Sequence, residues 1–110
     1  MLLSNKSYEE LERASQEWAD WHKKTIILED GKKAMFSKLF LKYKLETKTV
    51  IEAEHKSRVD AEYREIVKQY ANAEEELIKA RFHYSNLSQY ISLKQSELKR
   101  DLALTGKQPV

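Results

Sequence analysis

From Tyr63 to Leu98 every seventh residue is large and apolar: Tyr63, Tyr70, Leu77, Tyr84, Ile91 and Leu98. A second series, Ile66, Ala73, Ala80 and Leu87, runs three residues behind it until Lys94 and Asp101 weaken the pattern. Two interleaved heptad series place one continuous stripe along an α-helix. A stripe of that kind needs a facing helix to cover it. Between Ser4 and Thr105 the only helix-breaking residue is Gly31, which argues against strands and turns and for long helices. The spacing predicts a helix over about 61–104.

The first half of the chain carries a matching stripe. Leu11, Ala14, Trp18, Trp21, Leu28, Met35 and Leu39 follow helical spacing, with Phe36, Phe40 and Tyr43 one position off the seam. "SYEE" fits a capping box, in which the Ser7 hydroxyl accepts from the Glu10 amide and Glu10 reaches back. Periodicity survives on both sides of Gly31, so one helix, continuous or slightly kinked, is expected over about 7–46. The glycine costs it about 1 kcal/mol relative to alanine. Thr49 and Glu52 form a second capping box, predicting a short helix over 50–57, and Asp60 is placed to cap the last helix. Gly106 suits a helix C-terminal cap and Pro109 follows it. The expected organisation is an all-α antiparallel hairpin, coiled-coil-like, as a single domain over 7–104. Residues 1–6 and 105–110 are expected to be flexible ends.

The charges alternate in blocks. Residues 1–21 carry two basic and five acidic groups, net −3, and residues 22–48 carry eight and three, net +5. Residues 52–76 carry four basic and eight acidic groups, net −4, and residues 77–100 carry five and one, net +4. A chain folded back near residue 50 brings opposite signs together, Lys32 and Lys33 falling near Glu74, Glu75 and Glu76. Two helices offer each other one stripe apiece. The doubled Trp18/Trp21 and the widened Phe36/Phe40/Tyr43 surface exceed that need. A homo-oligomer, a dimer or higher with a four-helix arrangement the simplest, is therefore expected, as is a protein partner docking on Trp18, Trp21, Phe36, Phe40 and Tyr43.

Several chemistries are disfavoured. The chain has no cysteine, which removes disulfides, thiolate nucleophiles and cysteine-ligated zinc. No apolar run approaches membrane-spanning length. Met1-Leu2-Leu3 is too short for a signal peptide core, and a soluble cytoplasmic protein is expected. Glu52 and His55 have the Glu-x-x-His spacing of di-iron bundles, but they sit in the connecting element beside Lys56 and Arg58, which repel a cation. His22, His55 and His83 are not spaced as a metal set. Ser85, Ser88, Ser92 and Ser96 have no activating base nearby. No enzymatic activity and no cofactor are expected. The basic segment from Lys23 to Lys48 is the best candidate for an anion or nucleic acid. Its contacts would be Lys23, Lys24, Lys38, Lys42, Lys44 and Lys48, interleaved with Phe36, Phe40 and Tyr43.

"SYEELERASQEWADW", "EAEHKSRVDAEYRE" and "ARFHYSNL" together resemble small helical-hairpin proteins of about this length encoded by phages and prophages. The likeness runs from Ser7 to about Lys99 and rests on Tyr8, Glu9, Trp18, Glu52-Ala53-Glu54, Tyr63 and the Arg81/Tyr84 pair. Gly31 departs from it, standing where those relatives usually keep a helix former. The resemblance implies an accessory protein acting near recombination or single-strand-annealing machinery, or against a host defence component, in the host cytoplasm. No catalytic residues carry over from it. The expected function is thus non-enzymatic binding of a protein partner, with nucleic-acid or anionic-ligand binding by the basic segment as the alternative.

Overall fold

The computed structural model describes residues 5–104. Three helices make up this span: α1 (Asn5–Glu46), α2 (Val50–Val59) and α3 (Ala61–Leu104). Helices α1 and α3 pack against each other as a hairpin, with α2 as the connecting element. Among the described residues there is no strand. Gly106, Pro109 and the tail they were expected to start lie outside the described residues, as do the first four residues of the N-terminus.

Helix α1 starts earlier than the sequence suggests. Asn5 and Lys6 are already helical, so Ser7 sits inside the helix and is not its cap. The motif is present, but a side-chain cap acts only where the backbone ahead of it is extended, and here helix precedes it. Gly31 leaves α1 unbroken. A Cβ built at Gly31 would lie 3.0 Å from Ile66 Cδ1, tighter than ordinary van der Waals contact. The glycine thus admits a close approach of α3.

Burial along both helices follows the heptads. On α3 the whole series Tyr63, Tyr70, Leu77, Tyr84, Ile91 and Leu98 is at least half-buried, as are Ile66, Ala73, Ala80 and Leu87. Lys94 is half-buried and Asp101 exposed, so the seam weakens where expected. On α1, Leu11, Ala14, Trp18, Trp21, Leu28, Met35 and Leu39 face inward. Two polar residues complete that column. Thr25 is buried, its Oγ1 donating to the Trp21 carbonyl at 2.8 Å, and Lys32 is half-buried. The back-bonded hydroxyl satisfies itself locally and lets threonine occupy an inner position.

The described residues form two compact units, one of 5–19 with 78–104 and one of 20–77. In the first, Ala14, Ala80 and Ile91 are buried. Trp18 packs on Tyr84 with ring centroids 5.3 Å apart, and Gln95 Nε2 donates to the Tyr8 hydroxyl at 3.1 Å. In the second, Leu39, Ala53, Ala73, Thr25 and Ser57 are buried, and Phe36 meets Tyr63 edge-on at 5.6 Å. Partner numbers fall on α3 as they rise on α1, which is the antiparallel order.

The corner of the second unit is built from short polar side chains. Thr47 ends α1, its amide and hydroxyl both donating to the Tyr43 carbonyl at 2.9 and 2.8 Å. Thr49 has extended backbone and its Oγ1 accepts from the Glu52 amide at 3.2 Å, the expected cap of α2. Helix α2 runs two residues past the expected end, to Val59. Asp60 alone then separates α2 from α3. Its extended backbone turns the chain, and its Oδ1 accepts from the Glu62 amide at 2.9 Å to cap α3. Ala53 and Ser57 are 0% exposed, and Ser57 Oγ donates to the Ala53 carbonyl at 2.7 Å. One small face of α2 is therefore the face that packs.

Candidate functional site

The aromatic residues expected to bind a partner are half-buried, all five of them, and most have a ring or polar partner within the chain. Trp18 lies against Tyr84. Phe36 stacks on Phe40 at 6.4 Å and meets Tyr63 edge-on. Trp21 has the Lys24 ammonium 4.9 Å above its ring. The Tyr43 hydroxyl donates to Asp60 Oδ2 at 2.5 Å. That bond, shared with the cap of α3, holds the Asp60 carboxyl below its usual range and pushes the Tyr43 phenol up. Tyr43 thus fastens the end of α1 to the start of α3. The tyrosines of α3 behave alike: Tyr63, Tyr70 and Tyr84 each face α1, while Tyr90 is half exposed with Lys94 over its ring.

The six lysines expected to contact an anion, Lys23, Lys24, Lys38, Lys42, Lys44 and Lys48, are all exposed. Lys24 and Lys42 lie over their neighbours Trp21 and Tyr43. Lys32 and Lys33 make different contacts from those expected. Lys33 pairs with Glu29 of its own helix at 3.9 Å, and the Lys32 ammonium sits 4.4 Å above the Tyr70 ring. A hydrogen bond to Glu74 and partial burial push the Tyr70 phenol up to about 12. Lys32 therefore reaches the acidic run through the face of a tyrosine.

Besides Tyr8, the large apolar side chains that α1 and α2 expose are aliphatic. Leu45 is 90% exposed and Ile51 78%, with Val50 beside them at the α1–α2 junction. Ile27, Ala34 and Leu41, seven residues apart, line an exposed face of α1. Sequence reasoning passed over these positions because aromatic residues drew attention to the stripe, which is half-buried. The signal was present: Leu41 and Leu45 fall off the seam spacing defined by Leu39 and Tyr43.

Grooves in the second unit run beside the seam. One, of about 260 Å³, is lined by Trp21, Lys24, Leu28, Gln69, Asn72, Ala73 and Glu76. Another, of about 390 Å³, is lined by Lys32, Lys33, Phe36, Ser37, Arg58 and Tyr63. Among the described residues no three histidine or acidic side chains gather as a metal site. Glu52 and His55 are both exposed, and the buried residues of α2 are Ala53 and Ser57. His22 and His83 are exposed, as are Ser92 and Ser96, while Ser85 and Ser88 are half-buried. No helix among the described residues is long and apolar enough to cross a membrane. A scan against protein-family models, a search of curated proteins and a search of solved structures each return no match.

Proposed function

We propose that this chain is a non-enzymatic accessory protein of the phage-encoded kind, acting by docking on a protein partner: a recombination or replication factor, or a host defence component. The observation that carries the reading is the exposed aliphatic cluster at the α1–α2 junction, Leu45 at 90% and Ile51 at 78%. Large aliphatic side chains held that far into water at a capped corner favour contact with another macromolecule. The contact surface is placed here on Leu45, Val50 and Ile51, because Trp18, Trp21, Phe36, Phe40 and Tyr43 are engaged within the hairpin. Self-association belongs to the same reading: Ile27, Ala34 and Leu41 offer α1 of a second copy an apolar row at heptad spacing. Light scattering of the purified chain is expected to give a multiple of 13.0 kDa. Affinity capture from lysate of the source cell is expected to retrieve a discrete protein, and retrieval of the chain alone would contradict the docking reading.

The second reading, nucleic-acid or anionic-ligand binding by the basic segment, is favoured by the exposure of all six of its lysines. It predicts affinity for single strands that falls steeply with salt and is lost in the Lys38→Glu/Lys42→Glu variant. Absence of any shift at low salt removes it. The stacking part of that reading has less support, because Phe36, Phe40 and Tyr43 have partners within the chain.

A further inference from the structure

The groove lined by Lys32, Lys33, Phe36, Ser37, Arg58 and Tyr63 differs in charge from the others described. No carboxylate lines it, whereas Glu76 lines the groove beside Trp21 and Glu9 and Glu12 line a groove in the first unit. Three cationic residues line it from two elements, Lys32 and Lys33 from α1 and Arg58 from α2.

Each of the three is held loosely. Arg58 is carried over the Phe36 ring, its guanidinium carbon 5.8 Å from the centroid. Lys32 lies over Tyr70 at 4.4 Å. Lys33 has only a long, solvent-exposed pairing with Glu29 at 3.9 Å. Contacts of this kind are weak in water and yield to a stronger anion. The frame behind them is fixed. Ser57, next to Arg58, is fully buried, and the capped Asp60 corner sets the direction of α2. The cationic side chains thus extend from a fixed backbone, and the hydroxyl of exposed Ser37 adds a donor to the lining.

We propose that this groove binds a phosphoryl anion carrying two or more charges, with Arg58 making the forked contact and Lys32 and Lys33 supplying charge. Arginine matches two phosphate oxygens at once, while lysine acts as a point charge. The charges belong either to the polyphosphate of a free nucleotide or to two adjacent phosphodiesters of a nucleic-acid backbone, each of which supplies one charge and two free oxygens. The proposal rests on the second reading, since Lys32 and Lys33 belong to the same basic segment, but it replaces the six exposed lysines with a defined groove and does not depend on the protein-docking reading.

The test is a titration of the full chain with pyrophosphate, followed by backbone amide NMR, and then with adenosine triphosphate and a short single-stranded DNA. Saturable shifts are expected, concentrated on Lys32, Lys33, Phe36, Ser37 and Arg58. Affinity should fall at least tenfold in Arg58→Gln and recover in part in Arg58→Lys. Arg58 is exposed, so the glutamine variant should keep its melting temperature, and helicity by circular dichroism checks this. A free-nucleotide source predicts tighter binding of the triphosphate than of the short strand. A backbone source predicts affinity that rises with strand length. Shifts spread evenly over Lys23, Lys44 and Lys48, or undiminished binding by Arg58→Gln, would overturn the proposal. A double variant, Lys32→Gln/Lys33→Gln, gives an independent check and should weaken binding without moving the Tyr43–Asp60 contact.

Discussion

Asp60 ties three helices together. It ends α2, caps α3 through the Glu62 amide and accepts the Tyr43 hydroxyl from α1. Both hydrogen bonds favour its charged form and lower its pKa from the ordinary 3.8. A carboxyl whose pKa is lower folded than unfolded adds stability above the unfolded value, and that stability is lost as pH falls through the folded value. The chain should therefore lose stability as pH drops below about 4. Asp60→Asn keeps a capping oxygen but cannot ionise, so its stability should be lower near neutrality and depend less on pH between 5 and 2. Urea unfolding of both proteins across that range measures it, and parallel curves would show that Asp60 is not the coupling group. The sequence made half of this visible: an aspartate ahead of a helix reads as a cap. The Tyr43 bond was hidden because the two residues meet only after α2 has turned the chain, and tyrosine beside an apolar stripe reads as packing.

At the scale of elements, the heptads of α1 and α3 were legible because a repeated spacing survives any single substitution. The closeness of approach was not. Thr25 and Lys32 fill inner positions that a hydrophobic pattern skips, one by bonding its own helix and the other by laying its ammonium on Tyr70. The packing face of α2 was equally silent, since an alanine and a serine carry no hydrophobic signal, yet both are 0% exposed. Ala53→Leu forces new volume into that contact and should cost about 1–3 kcal/mol in urea unfolding. A change within experimental error would mean that α2 is free to move aside. Gly31 gives the complementary case. Alanine there gains up to about 1 kcal/mol of helix propensity but meets Ile66 Cδ1. Gly31→Ala should thus stabilise more in the Ile66→Val background, where that methyl is gone, than in the native chain. Equal effects in both backgrounds would place the cause of the glycine elsewhere.

For the whole molecule, the sequence was right about the helical hairpin and less informative about which surface it shows. An aromatic residue is read as a binding anchor or as core from the same letters, and only the facing helix decides between them. Here the rings of Trp18 and Tyr84 and those of Phe36 and Tyr63 pair inside the hairpin units, while Leu45 and Ile51 are among the most exposed apolar groups. The functional account rests on that division between a covered aromatic seam and an exposed aliphatic corner. The most direct test is one capture experiment on two variants whose melting temperatures are also measured. Leu45→Gln/Ile51→Gln should leave stability within about 0.5 kcal/mol per site and abolish capture of the partner. Trp18→Ala should lower stability by about 2–3 kcal/mol, less than for a fully buried ring, and still capture the partner while folded. The opposite result, partner retained by the corner variant and lost by a still-folded Trp18→Ala, would contradict the account and return the binding surface to the aromatic stripe.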